Sequence, residues 1–428
     1  MSNLHVKYLV AGGGLASSAA VTAIRQRDAE GSILLVGQEI QRPYHRPPLS
    51  KEYLRGEKPR DELFTQPAQW YVEHRVELRT GRRVSHLDTA RAAVTLDSGE
   101  DISFDRLLLA TGASPRHLEV PGADLPNVYY LRSLEDVERI HNAIDKAKGE
   151  GHEHPRGSGR GAGRGLAAVI GGGVLGVELA ASFTQLGLHV DLIVSRQHPW
   201  DKIVGEAAGR FLTRYLEAHG VAVHCNTRPE RLEGDGRVQR VVLGSGETLI
   251  CDFAVPAIGI VVNKELLRGT PIMAEKAILV DAQLQTNVAG IYAAGDCAAV
   301  FDPLFGKHRI LDHWDNAQVT GALAGRNMAG ANERYDAVNY FFSDIFELSV
   351  SGWGEARLVT RRLVRGTPGV EKPDFIEFGV AADGRIAQIV AFGHANEDEF
   401  LKDLVRRRVN VEGREEAIKD PDQTLKRF

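Results

Sequence analysis

A strand, a glycine-rich turn and the start of a helix occur twice in this chain, and few folds accommodate that arrangement. "YLVAGGGLASSAAVTAI" runs from Tyr8 to Ile24 and "AVIGGGVLGVELAASF" from Ala168 to Phe183. In a βαβ unit of this kind, glycines permit a tight turn and close approach of the backbone to a pyrophosphate. The phosphates then rest on free N–H groups at the helix N-terminus. The second copy reads Gly171-x-Gly173-x-x-Gly176. The first reads Gly12-x-Gly14-x-x-Ser17, with serine where a third glycine usually packs helix on strand. One such turn also arises from packing alone, but two in strand–turn–helix context predict two dinucleotide sites.

Strand-like and helical runs alternate through most of the 428 residues, which predicts an α/β chain of two or three domains. A net charge of -5 argues against a dedicated nucleic-acid or membrane-surface protein. No apolar run approaches the ~18 residues of a membrane span. The opening "MSNLHVKYLVAGGG" enters a strand at once and leaves no room for a signal peptide, so a cytoplasmic protein is expected. Cys225, Cys251 and Cys297 are far apart, which points to neither a disulfide framework nor a metal site. Residues 148–165, "KGEGHEHPRGSGRGAGRG", read as a flexible insertion, with His152 and His154 in a solvated loop. Helices are expected over Leu15–Arg27, from near Ser50 with that serine as N-cap, over Ser133–Lys148 and over Glu397–Arg408, and a hairpin at Asp97–Gly99. A separate α+β domain is expected from 333 to 428.

A dinucleotide site wants a carboxylate for the ribose hydroxyls at the end of the next strand. After the first turn, "ILLVGQE" supplies Gln38 and Glu39, of which Glu39 suits the role. After the second, "HVDLIVSRQ" places Val194, Ser195 and Arg196 there instead. Arg196 either meets a 2′-phosphate or is simply solvated, and both NADH and NADPH stay open.

At this point the chain resembles the two-dinucleotide pyridine nucleotide–disulfide oxidoreductases, in their ferredoxin-reductase and apoptosis-inducing-factor-like branch. The resemblance rests on "GGGLASSAA", "RPYHRPPLSKEYL", "LLLATGASPR", "GGGVLGVELAASF" and "LQTNVAGIYAAGDCA", in that order. It implies two Rossmann-like domains plus a C-terminal interface domain. FAD would bind residues 1–120 and 252–332, and NAD(P)H residues 121–251. It also implies a FAD set of Gly12, Gly14, Leu15, Ala16, Gln38, Glu39, Arg46, Lys51, Val84, Gly112, Gly295, Asp296 at the ribityl or pyrophosphate region, and Thr111, which would be structural or near the adenine half. Arg132 would lie near the FAD phosphates, or else be a surface arginine ahead of a helix. Trp314 would lie along the flavin, or else pack in the core. The nicotinamide set is Gly171, Gly173, Val174, Gly176, Glu178, Ser195 and Arg196, and Gly259 is a further cofactor-binding position.

By the same resemblance, Lys51 would lie beside the flavin ring, where a cation stabilises the anionic reduced form. Glu178 would face the nicotinamide and pair with Lys51. The plainer alternatives are a solvated lysine in a first helical turn and a carboxylate favoured by a helix N-terminus. The segment "RPYHRPPLSKEY" carries no cysteine, which excludes a dithiol relay, so electrons would leave the flavin directly.

The implied activity is therefore hydride transfer from NAD(P)H to FAD, then electron delivery to a one-electron acceptor such as a ferredoxin or rubredoxin. Arg361, Arg362 and Arg365, with Arg406 to Arg408, either dock an acidic partner or are solvated. The family's tryptophans near the flavin are replaced by Tyr340 and Phe342 in "NYFFSDIFELS". That departure keeps two alternatives in view: an NAD(P)H-sensing flavoprotein that signals through dimerisation or partner binding, and a reductase of small radicals or quinones. The sequence fits a monomer or a homodimer.

Overall fold

The computed structural model describes residues 4–149, 165–393, 398–425 and 428. The insertion expected over 148–165 therefore falls, at 150–164 and with both its histidines, outside the described residues. The chain divides into two units. The first comprises Met1–Arg46, Pro59–Ser114 and Ile260–Asn339, and the second Pro47–Lys58, Pro115–Gly259 and Tyr340–Phe428.

In the first unit, parallel strands lie in the order Val76–Thr80, Ile33–Gly37, Leu4–Ala11, Asp101–Leu109. Ile291–Ala293 adds a further parallel strand beside Asp101–Leu109. Ala93–Leu96 and Val84–Asp88 extend the sheet antiparallel, turning at the hairpin read from Asp97–Gly99. Every residue of Ile33–Gly37 is buried, as in parallel strands covered on both faces. Strand order reverses at Leu4–Ala11, the switch point where open α/β sheets form a binding crevice.

The alanine-rich helix Leu15–Arg27 follows that strand. It stops at Asp28, whose carboxylate accepts from Lys7 Nζ (2.7 Å), the Tyr8 hydroxyl (2.8 Å) and the Gly31 N–H (2.8 Å). The Lys7 hydrogen bond, ahead of the others, holds this carboxyl well below the usual range. A second helix, Trp314–Met328, lies against the first with almost no side chain between them. A Cβ on Gly321 would stand 2.2 Å from the Ala16 carbonyl oxygen, and one on Gly325 2.4 Å from that of Ala20.

The second unit repeats the plan with strands Val221–His224, His189–Ile193, Leu166–Ile170 and Phe253–Pro256, all parallel, reversing at Leu166–Ile170. The helix Leu134–Gly149 begins as expected behind Ser133, whose hydroxyl and the Asp136 carboxylate close a reciprocal cap. The C-terminal part is a five-stranded antiparallel sheet with the helix Asp398–Arg406.

The helix expected near Ser50 does not form. Pro47–Ser50 makes one 3₁₀ turn and residues 51–56 continue as turns. Pro47 and Pro48 supply no N–H, and the Ser50 hydroxyl is committed to a distant partner rather than to a cap. Among the described residues no helix is long and apolar enough to cross a membrane.

The glycine seam is testable. Gly321→Val should lower stability towards urea by about 1–3 kcal/mol, the usual cost of forcing volume into a tight contact. Equilibrium unfolding monitored by far-UV circular dichroism reads the change, and an unaltered midpoint would mean that the helices separate freely.

Candidate functional site

In the first unit the strand Leu4–Ala11 runs into Gly12 at φ 135°. A Cβ there would lie 2.0 Å from the Ala110 carbonyl oxygen, so only glycine lets the turn pass the end of the neighbouring strand. At Gly14 the situation reverses: a Cβ would meet nothing within 4 Å. Gly14 is also the N-cap and brings no side chain to the N–H groups of the first helical turn, which begins with Leu15 and Ala16. The turn is thus closed towards the sheet and open above the helix terminus, the shape a pyrophosphate needs.

Further groups converge on that turn. Gly295 (φ 75°) donates its N–H to Thr320 Oγ1 at 3.0 Å, and a Cβ on it would come within 3.1 Å of the Ala16 Cβ. This brings half-buried Asp296 to the helix start. Thr111 exchanges hydrogen bonds with Asn263 (2.6 and 3.0 Å), and Gly112 follows at φ 65°. Glu39 accepts from the Tyr44 hydroxyl and, at 2.6 Å, from Arg46, while Gln38 is exposed. Val84 is half-buried at the start of its strand. Trp314 is half-buried rather than in the core, and its indole N–H donates to His45 Nδ1 at 3.0 Å.

The second turn has the same construction. Gly171 sits at φ 131°, with a Cβ position 2.3 Å from the Ala257 carbonyl oxygen, and Gly173 again opens onto free space. Gly176 is where helix meets strand, since its Cβ would overlap the Gly171 carbonyl oxygen at 1.9 Å. The helix Val174–Gln185 has no side-chain cap. Ser195 and Arg196 are exposed at the exit of the strand His189–Ile193. Gly259 has φ 105° and open space at its Cβ position. Half-buried Arg132 precedes the helix Leu134–Gly149, its N–H donating to Asp136 at 3.0 Å.

Lys51 and Glu178 both belong to the second unit and are both buried: their side chains are 2% and 8% exposed. Burying an ammonium costs several kcal/mol unless it is paired. The ammonium lies 3.9 Å from Glu178 Oε1 but only 2.9 Å from Asp344 Oδ2, and it stands 4.4 Å above the Phe342 ring centroid. Its nearer partner is therefore Asp344, which the sequence reading passed over. The available signal was strand alternation, which sets Tyr340, Phe342 and Asp344 on one face of Tyr340–Ile345. Glu178 accepts from the Ser50 hydroxyl (2.6 Å) and the Ser343 hydroxyl (2.8 Å). Burial pushes its carboxyl above the ordinary value, against the pull of Lys51 and the two serines. Lys51 is therefore not the solvated lysine of the plainer reading.

The three cysteines are free. Cys251 and Cys297 are buried, and burial raises both thiols, which makes them poor nucleophiles. Among the described residues no group of three or more His, Cys, Asp or Glu is placed to hold a metal ion. Most of the arginines considered for docking are already engaged. Arg361 pairs with Glu415, Arg362 with Glu377, Arg407 with Asp403 and Arg408 with Asp383. Arg365 clamps the carbonyls of Ile418, Asp420, Pro421 and Gln423, leaving Arg406 exposed.

Residues 6–321 match the family profile of the pyridine nucleotide-disulphide oxidoreductases. The chain is 33% identical to rhodocoxin reductase of Rhodococcus erythropolis over 84% of this chain and 80% of that protein. It is 31% identical to the ferredoxin–NAD(+) reductase component of the biphenyl dioxygenase system of Paraburkholderia xenovorans (strain LB400), over 97% of both chains. A solved ferredoxin reductase of Rhodopseudomonas palustris superposes with a TM-score of 0.87 at 28% identity, covering 97% of this chain and 98% of the other.

The raised carboxyl of Glu178 has a consequence for stability. As pH rises past about 4.5, the unfolded chain loses this proton before the folded one does. The stabilisation present below that pH therefore fades as pH climbs towards the higher folded value. Glu178→Gln removes this part of the pH dependence. The melting temperature of the parent minus that of the variant should fall with rising pH above about 4.5. A flat difference across that window would show a carboxyl that ionises in its usual range, and a rising one a carboxyl pulled below it.

Proposed function

Because the chain belongs to the pyridine nucleotide-disulphide oxidoreductase family, we propose that it is an FAD-dependent NAD(P)H reductase delivering electrons to a ferredoxin- or rubredoxin-type acceptor. The observation that carries this reading is the pair of turns of one construction, each shut against its sheet and open at an uncapped helix terminus. Two such turns suit one resident and one visiting dinucleotide. Bound FAD supplies the conversion between a two-electron hydride donor and a one-electron acceptor.

The chain's own residues serve binding and electrostatics. Gly12, Gly14 and the first N–H groups of Leu15–Arg27 take the FAD pyrophosphate, with Glu39 at the ribose, Asp296 at the ribityl or pyrophosphate region and Thr111 towards the adenine half. Gly171, Gly173 and Val174 take the nicotinamide dinucleotide. FAD binding falls to residues 1–120 and 252–332, nicotinamide binding to 121–251, and 333–428 form the interface domain. Packing groups the chain differently, because Pro47–Lys58 and Tyr340–Phe428 fall in the same unit as the four-stranded parallel sheet of the second glycine turn.

Lys51 is the cation that favours the reduced flavin. Its burial and its two carboxylate neighbours support a fixed, charged group rather than a solvated one. A dithiol relay has no support, since no cysteine lies in residues 42–53 and Cys251 and Cys297 are buried. The reading includes a cytoplasmic location, in keeping with three unpaired thiols.

Anaerobic stopped-flow mixing of the purified yellow protein with NADH or NADPH tests this function. Bleaching of the flavin band, followed by rapid reduction of an added ferredoxin, is the expected result. Lys51→Ala should slow the bleaching by on the order of tenfold or more, a loss typical of a removed electrostatic group. A protein that carries no flavin, or that is not bleached by either nucleotide, would refute the assignment.

A further inference from the structure

Residues 194–200 leave the strand His189–Ile193 and are anchored at both ends on the second glycine turn. At one end, a Cβ on Gly172 would meet the Val194 side chain at 2.7 Å, and Gly171 donates its N–H to the Ile193 carbonyl at 2.9 Å. At the other end, the Trp200 N–H donates to the Gly172 carbonyl at 2.8 Å. Trp200 is buried and held at φ 59°, a left-handed conformation rare for so bulky a residue. From the neighbouring strand exit, the Asn226 N–H reaches the Arg196 carbonyl (2.8 Å) and the Thr227 N–H that of Val194 (3.2 Å).

The result is a short arc, Ser195–Arg196–Gln197, exposed but fixed by backbone bonds alongside a phosphate-binding turn. The arc contains no carboxylate; of the two equally near in sequence, Asp191 is buried and bonded to His224 at 2.8 Å, and half-buried Asp201 stands 3.9 Å from His198 Nε2. Among the described residues no acidic side chain pairs with Arg196. Arg228, also exposed, follows Thr227 on the adjoining segment.

Resting on the assignment of the second turn to a nicotinamide dinucleotide, we infer that this chain is built for NADPH, with Ser195 and Arg196, aided by Arg228, receiving the 2′-phosphate. The adenosine ribose of a dinucleotide on a Rossmann-type turn lies at the exit of the following strand. A carboxylate there accepts from both free hydroxyls of NADH and repels a 2′-phosphate, whereas a hydroxyl and an unpaired guanidinium do the reverse. A flexible arginine would lose entropy on meeting the phosphate. An arc whose backbone is already pinned loses less.

The test is calorimetric binding of two non-reducing probes, 2′-phospho-ADP-ribose and ADP-ribose, to the FAD-loaded protein. The phosphorylated probe should bind at least tenfold more tightly. That ratio should shrink as salt is raised and collapse towards one in Arg196→Gln, with a smaller fall in Arg228→Gln. The kcat/KM values of the parent protein should favour NADPH over NADH in the same sense. Equal or tighter binding of ADP-ribose, or a ratio untouched by Arg196→Gln, would overturn the NADPH assignment while leaving the dinucleotide site standing. If neither probe binds, the dinucleotide site itself falls, and the inference with it.

Discussion

Everything in both α/β sheets is organised around a place where a Cβ cannot be. Gly12 passes under the Ala110 carbonyl and Gly171 under that of Ala257, at Cβ separations of 2.0 and 2.3 Å that no side chain tolerates. Because the turn is pressed against the neighbouring strand, the following helix starts directly over the switch point of the sheet, and its unpaired N–H groups face outward. A residue one methyl larger at either position would tilt the helix and aim those groups elsewhere. Steric exclusion on one side creates the electrostatic site on the other.

The two copies differ where the sequence said they would, and the structure supplies the reason. In the second, a Cβ on Gly176 would stand 1.9 Å from the Gly171 carbonyl oxygen, so glycine is obligatory there. In the first, Ser17 fills the equivalent position and is wholly buried, while the tightest helix contacts move to Gly321 and Gly325. Close packing of the dinucleotide-binding helix is kept in both cases, against its own strand in one and against a second helix in the other.

Features dictated by local backbone geometry were legible from the residues alone: the turns, the helix Leu15–Arg27, the helix start at Ser133 and the Asp97–Gly99 hairpin. What escaped depends on partners far away in sequence. Ser50 looks like an N-cap, yet its hydroxyl donates to Glu178, 128 positions on. Lys51 was read with Glu178 alone, yet Asp344, 293 positions on, stands closer. The pairing follows from the strand register of Tyr340–Ile345, which no local pattern around Lys51 reveals. Most arginines of the runs, read as docking or solvated, have partners of their own within the chain. A cluster of cations suggests a waiting surface, but long side chains find nearby acceptors, and Arg365 alone takes four backbone carbonyls.

The seam of Ala16, Ala20, Gly321 and Gly325 carries a mechanical meaning as well as a steric one. Helices separated by a layer of leucines can slide, because side chains swap rotamers to follow. Backbones in direct contact have nothing between them to adjust. The start of the helix Leu15–Arg27 and the Gly295–Asp296 turn that touches it are therefore one solid part, and the FAD socket proposed there would be cut to shape before its ligand arrives. Little of the ligand's binding energy need go into ordering protein. Heating that parts the seam should release the socket as a whole, not by degrees.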